Sequence, residues 1–366
     1  MGDGAELGAV VVGTSVGVLL HVPALRGAGF RVEALVGRDR TKAEERAAFL
    51  AVPHGFGSLE EALALPGVDV VVVATPPAAH AELVLQAVAA GKHVVCEKPF
   101  GLDLDEARRM HGAAERAGVV HALHTEFGFD SAQALFRRVV RGGEIGAPKF
   151  AIAMMQLGTL AAGDPGAPAW FDDPAQGGGW LRGAGSHQID LVRTVVGEFA
   201  SVSASVQRLS LRPGEADDSF TCVFTLASGV RGLIESSSAV LGPGALITKV
   251  VGTGGTAWID PMTRGVFVDD GSGARRVPVP PDLVNPPPVP APPELVTTPY
   301  EAWHQTGNEV LTSSRMYRAM RARILGEEPE GEEVLSSFTD GVTLQMIFAA
   351  IETSSAENRT VEIERF

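Results

Sequence analysis

Cysteine is nearly absent: Cys96 and Cys222 are the only two in 366 residues. A disulfide framework and a cysteine-built metal site are thereby excluded. Positive charge is also short. Thirty Lys plus Arg against 44 Asp plus Glu leave a formal net charge of −14, which disfavours nucleic acid or an anionic membrane as partner. No apolar run reaches the roughly eighteen residues that a membrane-spanning helix needs; Gly8, Gly13 and Gly17 break the N-terminal apolar stretch. Met1 to Glu6 carries acids where a signal peptide would carry bases. The expectation is a cytoplasmic chain that binds a small molecule. No internal repeat is found.

At this length the chain exceeds one ordinary core, and two domains are expected. From residue 7 it alternates β-like runs with helical stretches: Ala9–Val12, Val18–Gly29, Val32–Val36, Thr41–Leu50, Val70–Ala74, Ala79–Ala90, His93–Cys96, Asp103–Ala117 and Val119–Leu123. That alternation predicts a doubly wound parallel sheet of the Rossmann α/β type, with strands apolar throughout because helices cover both faces. After about residue 127 the pattern changes. Lys149–Leu157, Phe199–Ser210, Ser219–Leu226, Arg231–Ala239, Ile247–Val251 and Gly265–Asp269 follow one another mostly through short connections, which predicts a mainly antiparallel sheet in an α+β domain. The domains are therefore placed at 1–127 and 128–366. The stretch 277–299, with Pro286-Pro287-Pro288, reads as an extended surface loop, a proline-rich ligand for another protein being the sharper alternative. Helices are expected over Tyr300–Leu325 and Asp340–Ser355, and a last strand over Thr360–Phe366.

Gly13-Thr14-Ser15-Val16-Gly17 follows the first strand and opens a helix, where unpaired backbone N–H groups and the helix dipole favour a pyrophosphate. The match to G-x-G-x-x-G is imperfect, with Ser15 at the second glycine and Val18 at the third, and a glycine turn without any ligand is the competing reading. At the end of the second strand, Gly37 occupies the place of the acid that would accept from the ribose of NAD, and Arg38 follows, suited to the extra phosphate of NADP. NADP is favoured. Asp39 leaves NAD open, and a solvated charged turn is the bland alternative. Two further strands end in Thr75-Pro76-Pro77 and Glu97-Lys98-Pro99, and strand ends of a parallel sheet face the ligand crevice.

These segments carry a resemblance. Gly13–Gly17 with His21-Val22-Pro23, Ala74–Pro77 with His80, Gly91–Pro99, and Gly177-Gly178-Gly179-Trp180-Leu181 leading to Gly185-Ser186-His187 and Asp190 stand in order and spacing, followed by Phe338–Gly341 and Ser354-Ser355-Ala356. The chain resembles, over nearly its whole length, the glucose-fructose oxidoreductase, inositol dehydrogenase and rhizopine catabolism (Gfo/Idh/MocA) family. The resemblance implies a dinucleotide domain followed by an open-faced antiparallel sheet, and hydride transfer between nicotinamide and a carbinol carbon of a sugar, cyclitol or derivative. It places Thr75, Pro76 and His80 where a loop of the first domain passes the cofactor, and Glu97 and Lys98 where the nicotinamide ribose and reacting oxygen lie, which joins Gly13, Thr14, Ser15, Val16, Gly37 and Arg38, read above, as the cofactor-binding set. His187 matches the histidine of the family's D-x-x-x-H pattern, so Lys98 and His187 are the catalytic candidates, and a homodimer or homotetramer is implied. Four residues before His187 the family often carries an aspartate; here that position is Gly183.

The chemistry gives these roles sense. Removing hydride from a carbinol requires its hydroxyl proton to leave, so a donor-acceptor must reach that oxygen. A lysine buried near a cationic nicotinamide would fall below its ordinary pKa of about 10.4 and serve as a base. Asp190, three residues after His187, would share a helical face with it and orient the imidazole. His124 and Glu126 are candidates to replace the missing acid. His121 and His124 show no third ligand, so no metal is expected. For substrate contacts the candidates are His124, Gln156, Trp170, Trp180, Arg182 and Asp190, aromatic faces suiting sugar rings and polar groups their hydroxyls. The alternatives are a lyase or glycosidase using NAD transiently, and a non-catalytic dinucleotide sensor.

Overall fold

The computed structural model describes residues 6–161, 166–328 and 334–366. Six strands, β1 (Gly8–Val12), β2 (Arg31–Val36), β3 (His54–Phe56), β4 (Val70–Val73), β5 (His93–Glu97) and β6 (His121–His124), form one sheet in the order β3-β2-β1-β4-β5-β6. Every pairing in it is parallel. β1 and β4 are buried along their whole length, as helices on both faces require. Between strands, the helices start on acids: Asp39 accepts from Lys42 N ahead of helix Arg40–Phe49 and Asp103 from Glu106 N ahead of Leu104–Ala117. The entry segment departs from the single expected helix. It opens as a π-turn over Gly17–His21 and continues as an α-helix over Val22–Gly27. Pro23 has no N–H and its ring crowds the carbonyl four residues back, and a widened turn relieves both.

The second sheet holds β7 (Pro148–Gln156), β8 (Phe199–Gln207), β9 (Ser219–Leu226), β10 (Arg231–Ser237), β11 (Ala245–Gly252), β12 (Thr256–Ile259), β13 (Val266–Asp269), β14 (Arg275–Arg276) and β15 (Val361–Glu362). Their order is β14-β13-β12-β11-β7-β10-β9-β8-β15. β7 and β10 pair in parallel and the remaining pairings are antiparallel. Helix Gly185–Val195 packs on β7 and β10, and helix Ser131–Arg141 on β12 and β13. Side chains that point the other way, Phe150, Val223 and Ile247, are exposed.

The compact units cut the chain differently from a boundary at 127/128. One comprises the described part of Met1–Phe129 with Asn285–Val342, the other Asp130–Val284 with Thr343–Phe366. Leu295, Met316, Tyr317, Met320 and Leu335 join the core built by Val11, Leu25 and Val32, so the chain after the proline stretch returns to the parallel sheet. That stretch is extended apart from short turns at Pro281–Leu283 and Pro293–Leu295. The helix expected over Tyr300–Leu325 is two, Pro299–Trp303 and Asn308–Leu325, separated at Gly307, whose φ of 76° and closeness to the Val289 carbonyl leave no room for a side chain.

Candidate active site

At the end of β1, Gly13 has φ 134° and donates its N–H to Val36 O at 2.9 Å; a Cβ there would collide with the Ala74 carbonyl. The backbone N–H groups of Thr14, Ser15 and Val16 donate to no protein acceptor among the described residues. A turn with unused donors and no side chain in the way fits a pyrophosphate. Its conformation is set by a residue with no sequence signal, the buried Arg46. The guanidinium donates to Thr14 O, to Leu295 O at 3.2 Å and to Thr297 Oγ1 at 3.1 Å, and pairs with Glu301 Oε1 at 2.9 Å. Burial alone would raise the Glu301 carboxyl, but Arg46 and Thr297 hold it down at about 2.

At the end of β2, a Cβ on Gly37 would lie 2.6 Å from Thr14 Cγ2. The strand-end acid is thus missing for a packing reason. Asp39 is engaged as a helix cap, and Arg40 pairs with Glu61 and Glu44. Arg38 is exposed, with no hydrogen bond or ion pair among the described residues.

The two remaining strand-end motifs are tied together by His80. It is fully buried, with Nδ1 3.0 Å from Pro99 O and Nε2 2.8 Å from Thr75 O. His80 therefore staples the turns that carry Thr75, Pro76 and Lys98, and its ring is turned away from any ligand surface. Burial pushes its pKa down. Lys98 and Glu97 are half-buried, and Lys98 N donates to Glu97 Oε2 at 3.1 Å.

Glu97 heads a buried network. His124, its register partner on β6, places Nδ1 2.8 Å from Glu97 Oε1 and 3.2 Å from Glu126 Oε2. His21 Nε2 lies 3.1 Å from the same Glu97 Oε1, and His21 Nδ1 2.6 Å from the Tyr317 hydroxyl. His124 Nε2 meets Ser313 Oγ at 3.0 Å. Ser313 and Tyr317 sit four apart on one helix and so face the same way. Burial would keep His124 neutral, but Glu97 and Glu126 outweigh it and raise its pKa to about 10. Burial likewise works against the Glu97 charge, yet His124 and His21 hold it well below the usual carboxylate range. Burial lowers His21 and keeps the Tyr317 phenol protonated. Ring nitrogens of His21 and His124 and a carboxylate oxygen of Glu97 lie within 4.8 Å of one another, and His121 is not among them. His121 turns instead to Glu115 at 2.9 Å and to Phe338 N. As a substrate contact His124 is corrected: it is fully buried and both ring nitrogens are engaged.

In the second unit, His187 is half-buried on helix Gly185–Val195. Asp190 is buried, 4.0 Å from Arg193 Nη1, and does not line a surface. Trp180 is buried too, its Nε1 donating to Ser236 Oγ at 2.8 Å; its face supports the interior of the unit. Arg182 forks onto Glu352 at 2.9 and 3.0 Å, Gln156 donates to Glu235 at 3.1 Å, and Trp170 stacks edge-on against Phe171. A Cβ on Gly183 would lie 3.2 Å from Phe171 Cε2, so an aromatic ring stands where the family's aspartate would project. Asp217 escaped the sequence reading. It accepts from Leu181 N at 2.7 Å, and burial, reinforced by Glu352, pushes its carboxyl up to about 6.

A 3-2-1-4-5-6 parallel sheet with free N–H donors after β1 and a lysine after β5 defines a dinucleotide-binding oxidoreductase class. Residues 7–125 match the Gfo/Idh/MocA oxidoreductase family with NAD-binding Rossmann fold, and residues 134–258 the Gfo/Idh/MocA C-terminal domain. The chain belongs to this family and is an NAD-binding oxidoreductase. It is 30% identical over 265 residues to trans-1,2-dihydrobenzene-1,2-diol dehydrogenase of Macaca fuscata fuscata, covering 66% of this chain and 76% of that one. It is 26% identical over 330 residues to levoglucosan dehydrogenase of Pseudarthrobacter phenanthrenivorans, covering 81% and 80%. Among solved structures, an NAD binding oxidoreductase from Klebsiella pneumoniae superposes with TM-score 0.81 at 25% identity, over 99% of this chain and 100% of that one. No helix among the described residues is long and apolar enough to cross a membrane.

Proposed function

We propose that this enzyme transfers hydride between NADP and a carbinol or carbonyl carbon of a sugar, cyclitol or related small molecule. The observation that carries the proposal is Lys98 just past the carboxyl end of β5, half-buried, its backbone N–H donated to the Glu97 carboxylate. A bound nicotinamide supplies the hydride acceptor or donor. Lys98 Nζ takes the hydroxyl proton as hydride leaves the carbinol, and returns it in the reverse direction; His187 is the second candidate for proton transfer. The relatives named for a diol and for levoglucosan support a hydroxylated substrate. Gln156 and Trp170 remain the candidates for holding it, with Arg182 shared with Glu352. Lys98→Met should lower kcat at least a thousandfold while NADPH still binds; turnover within tenfold of the parent would refute the role.

The choice of NADP rests on the strand end after β2: no acid fits at Gly37, Asp39 caps a helix, and Arg38 is available for a phosphate. Michaelis constants for NADPH and NADH decide it, and a strong preference for NADH would overturn it. The enzyme forms a homodimer or homotetramer through the open face of the second sheet, because exposed Phe150, Val223 and Ile247 on one face favour being covered.

A further inference from the structure

We propose that His124 is a positioning residue of this active site: a buried imidazolium that fixes the Glu97 carboxylate in one orientation beside Lys98. The partners of each ring nitrogen set the directions around Glu97, and two carboxylates against one nitrogen favour the charged form of His124. His21 Nε2 faces Glu97 Oε1, which only accepts, so that nitrogen carries the proton, and in the neutral ring Nδ1 accepts from the Tyr317 hydroxyl. Lys98 N donates to Glu97 Oε2. His124 Nδ1 lies between two carboxylate oxygens, Glu97 Oε1 and Glu126 Oε2, both acceptors, so that nitrogen carries a proton. Its other nitrogen faces the Ser313 hydroxyl, which the fold has also removed from water. Of the network only Glu97 keeps appreciable exposure, 15% of its side chain against 0% for His21 and His124. The network therefore has one outlet, at the strand end that carries Lys98.

Held from His21, His124 and its own neighbour's N–H, Glu97 cannot rotate, and the backbone of Lys98 is anchored with it. The charge on His124 answers carboxylates from two elements, β5 and the turn after β6. The other titratable groups felt at Glu97 are His21, Tyr317 and the buried thiol of Cys96, and at longer range His80 and Tyr300. His21 and Tyr317 are kept neutral by burial, so neither competes with His124 for the positive charge. The arrangement predicts that Glu97 keeps its charge and orientation throughout the working pH range, and that removing the charge on His124 makes Glu97 titrate.

The direct test uses the unaltered full chain labelled with 15N-histidine. Of its nine histidines, one should show both ring nitrogens protonated at pH 8.5, and Ser313→Ala should shift that resonance. Absence of an imidazolium at pH 8.5, or one that Ser313→Ala leaves untouched, overturns the proposal. The kinetic test is His124→Gln. The parent's kcat/KM should be flat through Glu97's range, whereas the variant should lose about tenfold per pH unit below a new midpoint, with the dissociation constant for NADPH weakening in the same range. A profile that superimposes on the parent's overturns the positioning role. That role rests on the assignment of Lys98 made above, but the protonation state does not: an imidazolium signal with an active Lys98→Met enzyme would sink the former assignment alone.

Discussion

Arg46 shows how much one side chain can decide at the residue scale. It satisfies the carbonyl of Thr14 in the glycine turn and is the cation for Glu301, a carboxylate with no exposure. Arg46→Met should destabilise the protein by about 3 kcal/mol, because it strands a buried charge, as urea unfolding at pH 7 would measure. The pH dependence has a definite sign. Glu301 has a folded value of about 2 against an ordinary 4.5, so the unfolded chain takes up the proton first. The stability from this pair is complete above about pH 4.5 and is lost as the pH falls towards 2. The gap between the parent and Arg46→Met should thus narrow on acidification, leaving only what the bonds to Thr14, Leu295 and Thr297 contribute; a gap as wide at pH 2 as at pH 7 would refute the pairing.

Asp217 behaves in the opposite sense. Its folded value of about 6 stands above the ordinary 3.8, so its contribution to stability is full below 3.8 and is lost as the pH rises through 6. Asp217→Asn should therefore melt higher than the parent at pH 8, by roughly 1 kcal/mol after allowance for its partial exposure, with no gain below about pH 4. A carboxyl held at such a cost belongs with function more often than with stability.

At the scale of elements, the end of β2 and the turn after β1 act as one unit. Gly37→Asp alone should bind neither dinucleotide well, because its Cβ meets Thr14 Cγ2 at 2.6 Å. Combined with Thr14→Ala, which removes that methyl, it should recover binding and shift preference to NADH by tenfold or more, the two changes being non-additive. Dissociation constants from nicotinamide fluorescence check this, and additive effects would show that Thr14 does not guard the strand end. The elements themselves were legible where periodicity was strong. β1, β4, β5 and β9 lie where their apolar runs put them, and Asp103 capped its helix where the pattern began. β3 and β14, of three and two residues, were not, since so few side chains set no period. The π-turn over Gly17–His21 was hidden too, although Pro23 announced a disturbance at that point.

At the scale of the molecule, the proposed assembly through the open face of the second sheet can be broken by charge. Val223→Lys with Ile247→Lys should convert the oligomer to a monomer with melting unchanged within a few degrees, as light scattering after gel filtration would show; an unaltered mass would place the interface elsewhere. Residues 285–342 illustrate what linear reading misses at this scale. A boundary near 127 was visible because the strand-helix alternation stops there, but the return of Leu295, Met316 and Tyr317 to the first core is a long-range contact that carries no local pattern. The candidate site divides likewise. Gly13, Lys98 and His187 were readable as motifs, while Arg46, Asp217 and Tyr317 were not, because a buried polar residue is recognised only by what lies opposite it.

By itself the sequence determined the parallel sheet, the mostly antiparallel one and the family, because apolar periodicity and glycine turns are local and act before any distant contact forms. Tertiary structure alone decided what His80, His124 and Trp180 do. Each sits in a segment that points to a ligand, and each is turned inward by partners far along the chain: Pro99 for His80, Ser313 for His124 and Ser236 for Trp180. The physical reason is that a buried polar group must find its hydrogen bonds within the fold, and which groups meet there is settled by packing.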